Sequence, residues 1–184
     1  MIDRQFIPLL TREVERKCGR QMLTPRDFQW LADQLPQGER LSLSTLKRVW
    51  NYVPSVHTPG EDTLSILARM AGWADWTDFC RQYVLVADSD FLGGTIRADD
   101  VAAGDELLLA WLPDRTMRIM ALGGCRFRVV EVSGGKLRRG DEFDAVWFSE
   151  GQPLCLSGLR RRGHPLPDYI AGRRTGLTAV TRCP

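Results

Sequence analysis

Five polar side chains within eight positions, Ser44, Thr45, Lys47, Arg48 and Asn51, are the residues best equipped for chemistry. They offer two hydroxyls, an ammonium, a guanidinium and a carboxamide. An arginine or lysine can donate to the O6 and N7 acceptors of guanine, and an asparagine can bond adenine bidentately. The spacing predicts a helix over 44–52, capped by Ser42 or Ser44 and closed by Pro54, with Leu46, Val49 and Trp50 turned inward. The polar set is then its outward face.

Arg160, Arg161 and Arg162, followed by Arg173 and Arg174, form a second candidate. Five guanidiniums near one another could cradle phosphates or an acidic peptide. No aromatic residues interleave the run, which favours the plainer reading of a loop kept soluble by charge.

Catalytic groupings are weak. The chain has no G-x-S-x-G elbow, P-loop or dinucleotide glycine pattern. Asp99-Asp100 and Asp141-Glu142 are adjacent pairs, and neighbours on a strand face opposite ways. Cys125 and His164 would form a nucleophile pair only if folding joined them. The five cysteines (Cys18, Cys80, Cys125, Cys155, Cys183) are scattered without a C-x-x-C pair, and there are only two histidines, His57 and His164. No catalytic residue, metal site or cofactor is expected.

The net charge is +2: residues 1–90 hold 11 Lys/Arg against 12 Asp/Glu, and residues 91–184 hold 14 against 11. That balance alone implies no nucleic-acid partner. A hydrophobic fraction of 43% and a charged fraction of 26% are those of an ordinary globular protein. No apolar run approaches the roughly 20 residues that span a bilayer, and charges interrupt MIDRQFIPLLTREVERK where a signal peptide needs an apolar core. A cytoplasmic protein without a membrane partner is the expectation.

The elements that must position these residues change period midway. Phe6, Ile7, Leu10, Val14 and Cys18 mark a first helix that stops at Gly19. Thr24-Pro25-Arg26-Asp27 opens a second, with Phe28, Leu31, Ala32 and Leu35 on one face and Pro36 at its end. After the 44–52 helix, Leu64, Leu67, Ala68 and Ala71 mark a fourth, and Trp76, Phe79, Cys80 and Tyr83 a fifth that starts at Asp75 or Thr77. Small and polar residues over 87–94 suggest a linker. Beyond it, LLLAW, TMRIMAL, CRFRVVEV, DAVWF and PLCLSGL read as strands between turns. In RFRVVEV, Phe127 and Val129, with Glu131 also considered, share one face. Ala103-Gly104-Asp105-Glu106 is echoed 36 positions later by Arg139-Gly140-Asp141-Glu142, a similarity that turn chemistry alone can produce.

Residues 4–83 resemble the phage-repressor type of helix-turn-helix domain. The resemblance is carried by Leu31-Ala32 in the second helix, by Ser42, Ser44, Thr45 and Leu46 in the third, and by Pro59, Thr63-Leu64, Leu67-Ala68 and Ala71-Gly72-Trp73 around the fourth. It implies a five-helix bundle, duplex DNA as partner, and Ser44, Thr45, Lys47, Arg48 and Asn51 as the reading surface, in a regulator of transcription of bacterial type. The connection from Leu35 to Ser44 is longer than the tight turn of that family. A bundle of the same fold serving as a non-catalytic protein-interaction module is the competing expectation.

The fold expected is therefore α+β: a helix-turn-helix-like bundle over 1–86, a linker over 87–94, and a small antiparallel β-barrel-like domain over 95–184. The β domain is expected to support homodimerisation, ligand sensing or a protein partner.

Overall fold

The computed structural model describes residues 3–87 and 95–184, an α+β arrangement of five α-helices and a mostly antiparallel set of strands. Contacts gather Phe6–Val86 into one unit, and Met1–Gln5 with Ala87–Pro184 into another. Asp3, Arg4 and Gln5 thus group with the strands, not with the helices that follow them in sequence. The linker expected over 87–94 lies, apart from Ala87, outside the described residues.

In the helical unit each helix stops and starts where its terminal groups find partners. Helix α1 (Ile7–Cys18) buries Leu10 and Val14 completely and ends at Gly19, whose φ of 64° lets its N–H reach back to the carbonyl of Arg16. Helix α2 (Pro25–Gln34) begins with a capping box in which Thr24 and Asp27 satisfy each other's orphan groups. Helix α3 spans Leu43–Val49, α4 Glu61–Ala71 and α5 Trp76–Ala87. Their apolar faces meet around Phe28, which lies edge-on to Trp50 at 6.1 Å and to Tyr52 at 5.1 Å. A second aromatic group joins α4's end to α5, where Phe79 stacks on Trp76 at 5.6 Å and meets Trp73 edge-on.

The β unit contains β1 (Thr95–Arg97), β2 (Glu106–Trp111), β3 (Arg115–Gly123), β4 (Arg126–Ser133), β5 (Glu142–Asp144), β6 (Trp147–Ser149), β7 (Leu154–Arg161), β8 (His164–Pro165), β9 (Tyr169–Ala171) and β10 (Ala179–Arg182). The main sheet runs β10-β2-β3-β4-β5-β7-β8, β9 also pairs with β7, and β1 and β6 form a separate two-stranded sheet. Among the described residues no pairing joins β10 to β8, so the sheet is open. This corrects the barrel-like expectation. The cause lies in β7, which gives Leu154–Leu156 to β9 and Arg160–Arg161 to β8, so the sheet ends in a branch instead of a closing strand.

Two further expectations change for local reasons. DAVWF is not one strand: it breaks at Ala145–Val146, where the Gln5 side chain accepts from Val146 N–H at 2.8 Å and donates to the Asp144 carbonyl at 3.5 Å. In β4 the register opposite β3 shifts between Arg118 and Ile119, which pair with Glu131 and Val129 and leave Val130 as the extra residue. That bulge reverses the alternation. Glu131 turns out to solvent and bonds Arg118 at 2.7 Å, while Val132 packs on the core instead.

The echoed Gly-Asp turns are alike in their hydrogen bonds. Gly104 N–H donates to the Ala121 carbonyl and Gly140 N–H to that of Val129, and those two residues donate back to the carbonyls of Asp105 and Asp141. Both aspartates also accept from the N–H three residues earlier, Ala102 and Arg138. Both glycines have φ near the left-handed region, 97° and 88°, which lets the chain turn sharply into β2 and β5. The core between these strands holds Leu107, Leu109, Ile119, Phe127 and Val129, all fully buried. Phe127 meets Phe148 edge-on at 4.9 Å.

Candidate nucleic-acid interface

Helix α3 is seven residues long, shorter at its C-terminal end than the 44–52 helix expected from sequence. Ser42 caps it by accepting from Thr45 N–H at 3.1 Å. Asn51, with φ of 51°, ends it: its N–H donates to the Arg48 carbonyl at 2.9 Å, and Tyr52 N–H donates to Lys47 at 2.8 Å. Asparagine tolerates the left-handed region because its short amide can bond locally. The helix therefore stops before Pro54 is reached, and Asn51 lies in its terminal turn, not one helical turn further along.

Leu46, Val49 and Trp50 are buried, and the Trp50 indole donates to Glu15 Oε1 at 2.8 Å. The same carboxylate oxygen accepts from Met22 N–H at 3.0 Å, so α3 is tied to α1 and to the connection before α2. Behind this anchor the opposite face is polar. Ser44 and Arg48 are exposed, and Thr45, Lys47 and Asn51 are half-buried. Residues three and four apart are neighbours on a helix, so Ser44, Lys47 and Arg48 share one stripe.

The hydroxyls are partly committed. Ser42 Oγ shares hydrogen bonds of 2.8 Å with both Ser44 Oγ and Thr45 Oγ1. A hydroxyl in such a cluster keeps acceptor capacity for an outside donor. The helix itself carries no acidic residue. The preceding connection is held by Glu39, which accepts from Arg69 at 2.6 Å and is thereby neutralised beside exposed Arg40. Just past α3, Tyr52, Val53 and Val56 are 40%, 45% and 48% exposed, three apolar side chains whose exposure sequence periodicity does not reveal.

Helix α2 is held from its start. Asp27 accepts from Thr24 Oγ1 at 2.7 Å, Thr24 N–H at 2.8 Å and Arg20 Nε at 2.9 Å. These bonds, the Thr24 hydroxyl's foremost, hold its carboxyl well below the usual carboxylate range. The Arg20 guanidinium also lies over the Trp30 ring, 4.9 Å from its centroid.

The arginine run does not act as one cluster. Arg160 and Arg161 are in β7, and Arg161 makes two bonds to Asp141, from Nε at 2.7 Å and from Nη2 at 2.8 Å. Asp141 is completely buried, so Arg161 is its counter-ion and a fold residue. Arg162 sits in the exposed turn to β8 with φ of 51°. Arg173 and Arg174 instead line a cavity of about 350 Å³ with Arg115 and Trp111. Sequence reasoning did not find this cavity or Arg115, because its walls come from residues 111–115 and 170–175.

The imagined catalytic groupings gain no support from geometry. Asp99 and Asp100 lie in a 3-10 turn, and burial together with Asp99 and Asp144 pushes the Cys125 thiol up, the opposite of an activated nucleophile. Among the described residues no group of three or more His, Cys, Asp and Glu side chains could hold a metal ion. No described helix is long and apolar enough to cross a membrane. No family model, curated protein or solved structure matches the chain.

Proposed function

We propose that this protein is a DNA-binding regulator of helix-turn-helix type that reads duplex DNA through α3, with the β unit serving dimerisation or ligand sensing. One observation carries the reading: α3 presents Ser44, Lys47 and Arg48 on a single stripe with no acidic neighbour in the helix, while Leu46, Val49 and Trp50 fix it from behind. Arg48 is the candidate for a bidentate contact with guanine, and Lys47 and the hydroxyls of Ser44 and Thr45 suit phosphate oxygens. Asn51 shapes the end of the helix and lies beside this surface.

The test is binding to a pool of random duplexes across a range of salt. Phosphate contacts make the logarithm of affinity fall linearly with the logarithm of salt, with a slope of about 0.9 per phosphate neutralised. Lys47→Ala should lower that slope by about one and weaken all sequences alike, whereas Arg48→Ala should relax preference at one base pair.

Exposed Tyr52, Val53 and Val56 favour a second reading, a protein-interaction module of the same fold. Exposed apolar side chains that gather into a patch are a common mark of a protein partner. Under that reading, replacing Val53 and Val56 with serine abolishes partner capture, and Lys47→Ala and Arg48→Ala change nothing.

A further inference from the structure

The cavity in the β unit has the composition of a ligand site. Its apolar wall is made by Trp111, Pro113 and Ile170, and its cationic side by Arg115, Arg173 and Arg174. None of the described residues lining it is acidic. A volume of about 350 Å³ lies at the small end of the roughly 300–1,000 Å³ typical of metabolite pockets.

Arg115, and the backbone that carries Arg173 and Arg174, are held before any ligand arrives. Arg115 opens β3 and donates from Nη1 to the Tyr169 hydroxyl at 3.1 Å, beneath the Gly134-Gly135 turn that passes over its side chain. Arg173 and Arg174 lie between two glycines. Gly172 has φ of 63° and Gly176 φ of 79°, and a hydrogen bond of 2.7 Å from Gly176 N–H to the Gly172 carbonyl closes the turn. A Cβ on Gly172 would run into the backbone of Gly176, and one on Gly176 into the backbone of Gly151. Leu177 then donates to Gln152 and Thr178 to Ala110, fastening the turn to its neighbours. This loop is built tightly around its two arginines, yet Arg174 makes no ion pair among the described residues.

The geometry points to a binding site for a small organic phosphate monoester, its dianion held by Arg115 and Arg174 with Arg173 beside them, its organic part against Trp111, Pro113 and Ile170. Planar guanidiniums match phosphate oxygens bidentately, and a cationic wall with no acidic residue among those lining it favours a dianion over a monoanion. The apolar wall favours an ester over the free inorganic ion. This assignment stands apart from the DNA reading: either can fail without the other.

The experiment titrates the full-length protein with phenyl phosphate, inorganic phosphate, benzoate and benzyl alcohol, following heat of binding and the Trp111 indole resonance, which is identified by its loss in Trp111→Phe. Phenyl phosphate is expected to bind tightest and to shift the Trp111 signal. Arg174→Gln, on an exposed turn, should weaken it roughly tenfold, as the loss of one charge-assisted contact does, while amide spectra stay folded. Arg115→Lys separates charge from fork geometry and should also weaken binding. The assignment is overturned if benzyl alcohol or benzoate binds as tightly, if inorganic phosphate matches phenyl phosphate, or if Arg174→Gln changes nothing. A Trp111 shift produced only by duplex DNA would equally overturn it, making the cavity a backbone contact.

Discussion

Removing the Arg4 side chain should destabilise the β unit in a manner that depends on pH. Arg4 Nη2 lies 3.0 Å from Asp168 Oδ2, with both side chains 18% exposed, and Asp168 Oδ1 accepts from Gly158 N–H at 3.1 Å. Burial raises the Asp168 pKa, and Arg4 and the Gly158 amide oppose that rise. Because the folded value is raised, the native state binds the proton more readily than the unfolded one, whose value is near 3.9. Stability therefore falls as pH rises from about 3.9 through the folded value, and the cost is complete above it. In Arg4→Met the opposing charge is gone, the folded value climbs further, and the window widens upward. The loss at pH 7.5 should be about 2 kcal/mol, below the roughly 3–5 kcal/mol of a fully buried pair because this one retains contact with water. It should shrink as pH falls through the folded value towards the unfolded one, because protonating Asp168 removes the charge that Arg4 balances. Urea unfolding at several pH values measures the loss, and exchange of the Gly158 amide localises it to this site. Adding Asp168→Asn, which removes the charge but keeps an acceptor for Gly158, should restore much of the neutral-pH stability. A loss that is the same at pH 4 and pH 7.5, or that Asp168→Asn makes worse, would refute the reasoning.

Two other outcomes follow from the same geometry. Arg161→Met should lower the urea midpoint by orphaning buried Asp141, yet leave phenyl phosphate binding unchanged, because Arg161 does not line the Trp111 cavity. Asp27, whose folded pKa is depressed, contributes stability that is present above its unfolded value near 3.9 and is lost as pH falls through the folded one. Acid titration by circular dichroism should show this loss of helix in the native protein and a flatter profile in Asp27→Asn.

What could be read from the chain was set by near neighbours. Gly19, Thr24 with Asp27, Pro36 and Gly72 mark helix limits by their own backbone chemistry, and the buried stripe of Leu46, Val49 and Trp50 follows from period alone. Asn51 escaped this reasoning because its left-handed backbone ends α3 without glycine or proline. The break in DAVWF depends on Gln5, about 140 residues away, and the reversed alternation after Val129 depends on the facing strand. Adjacency misled most in the arginine run. Arg161 is claimed by Asp141, 20 residues upstream, and Arg173 and Arg174 find their companion in Arg115 across the fold.

The central claim is that the stripe of Ser44, Lys47 and Arg48 meets duplex DNA. Its most direct test is the salt dependence of duplex binding by the native protein and by the double variant Lys47→Ala, Arg48→Ala. The account predicts native binding that weakens steeply with salt, and a double variant whose log–log slope is shallower by about one to two units. It is contradicted if the native protein binds no duplex at low salt, or if the two proteins share the same slope and affinity.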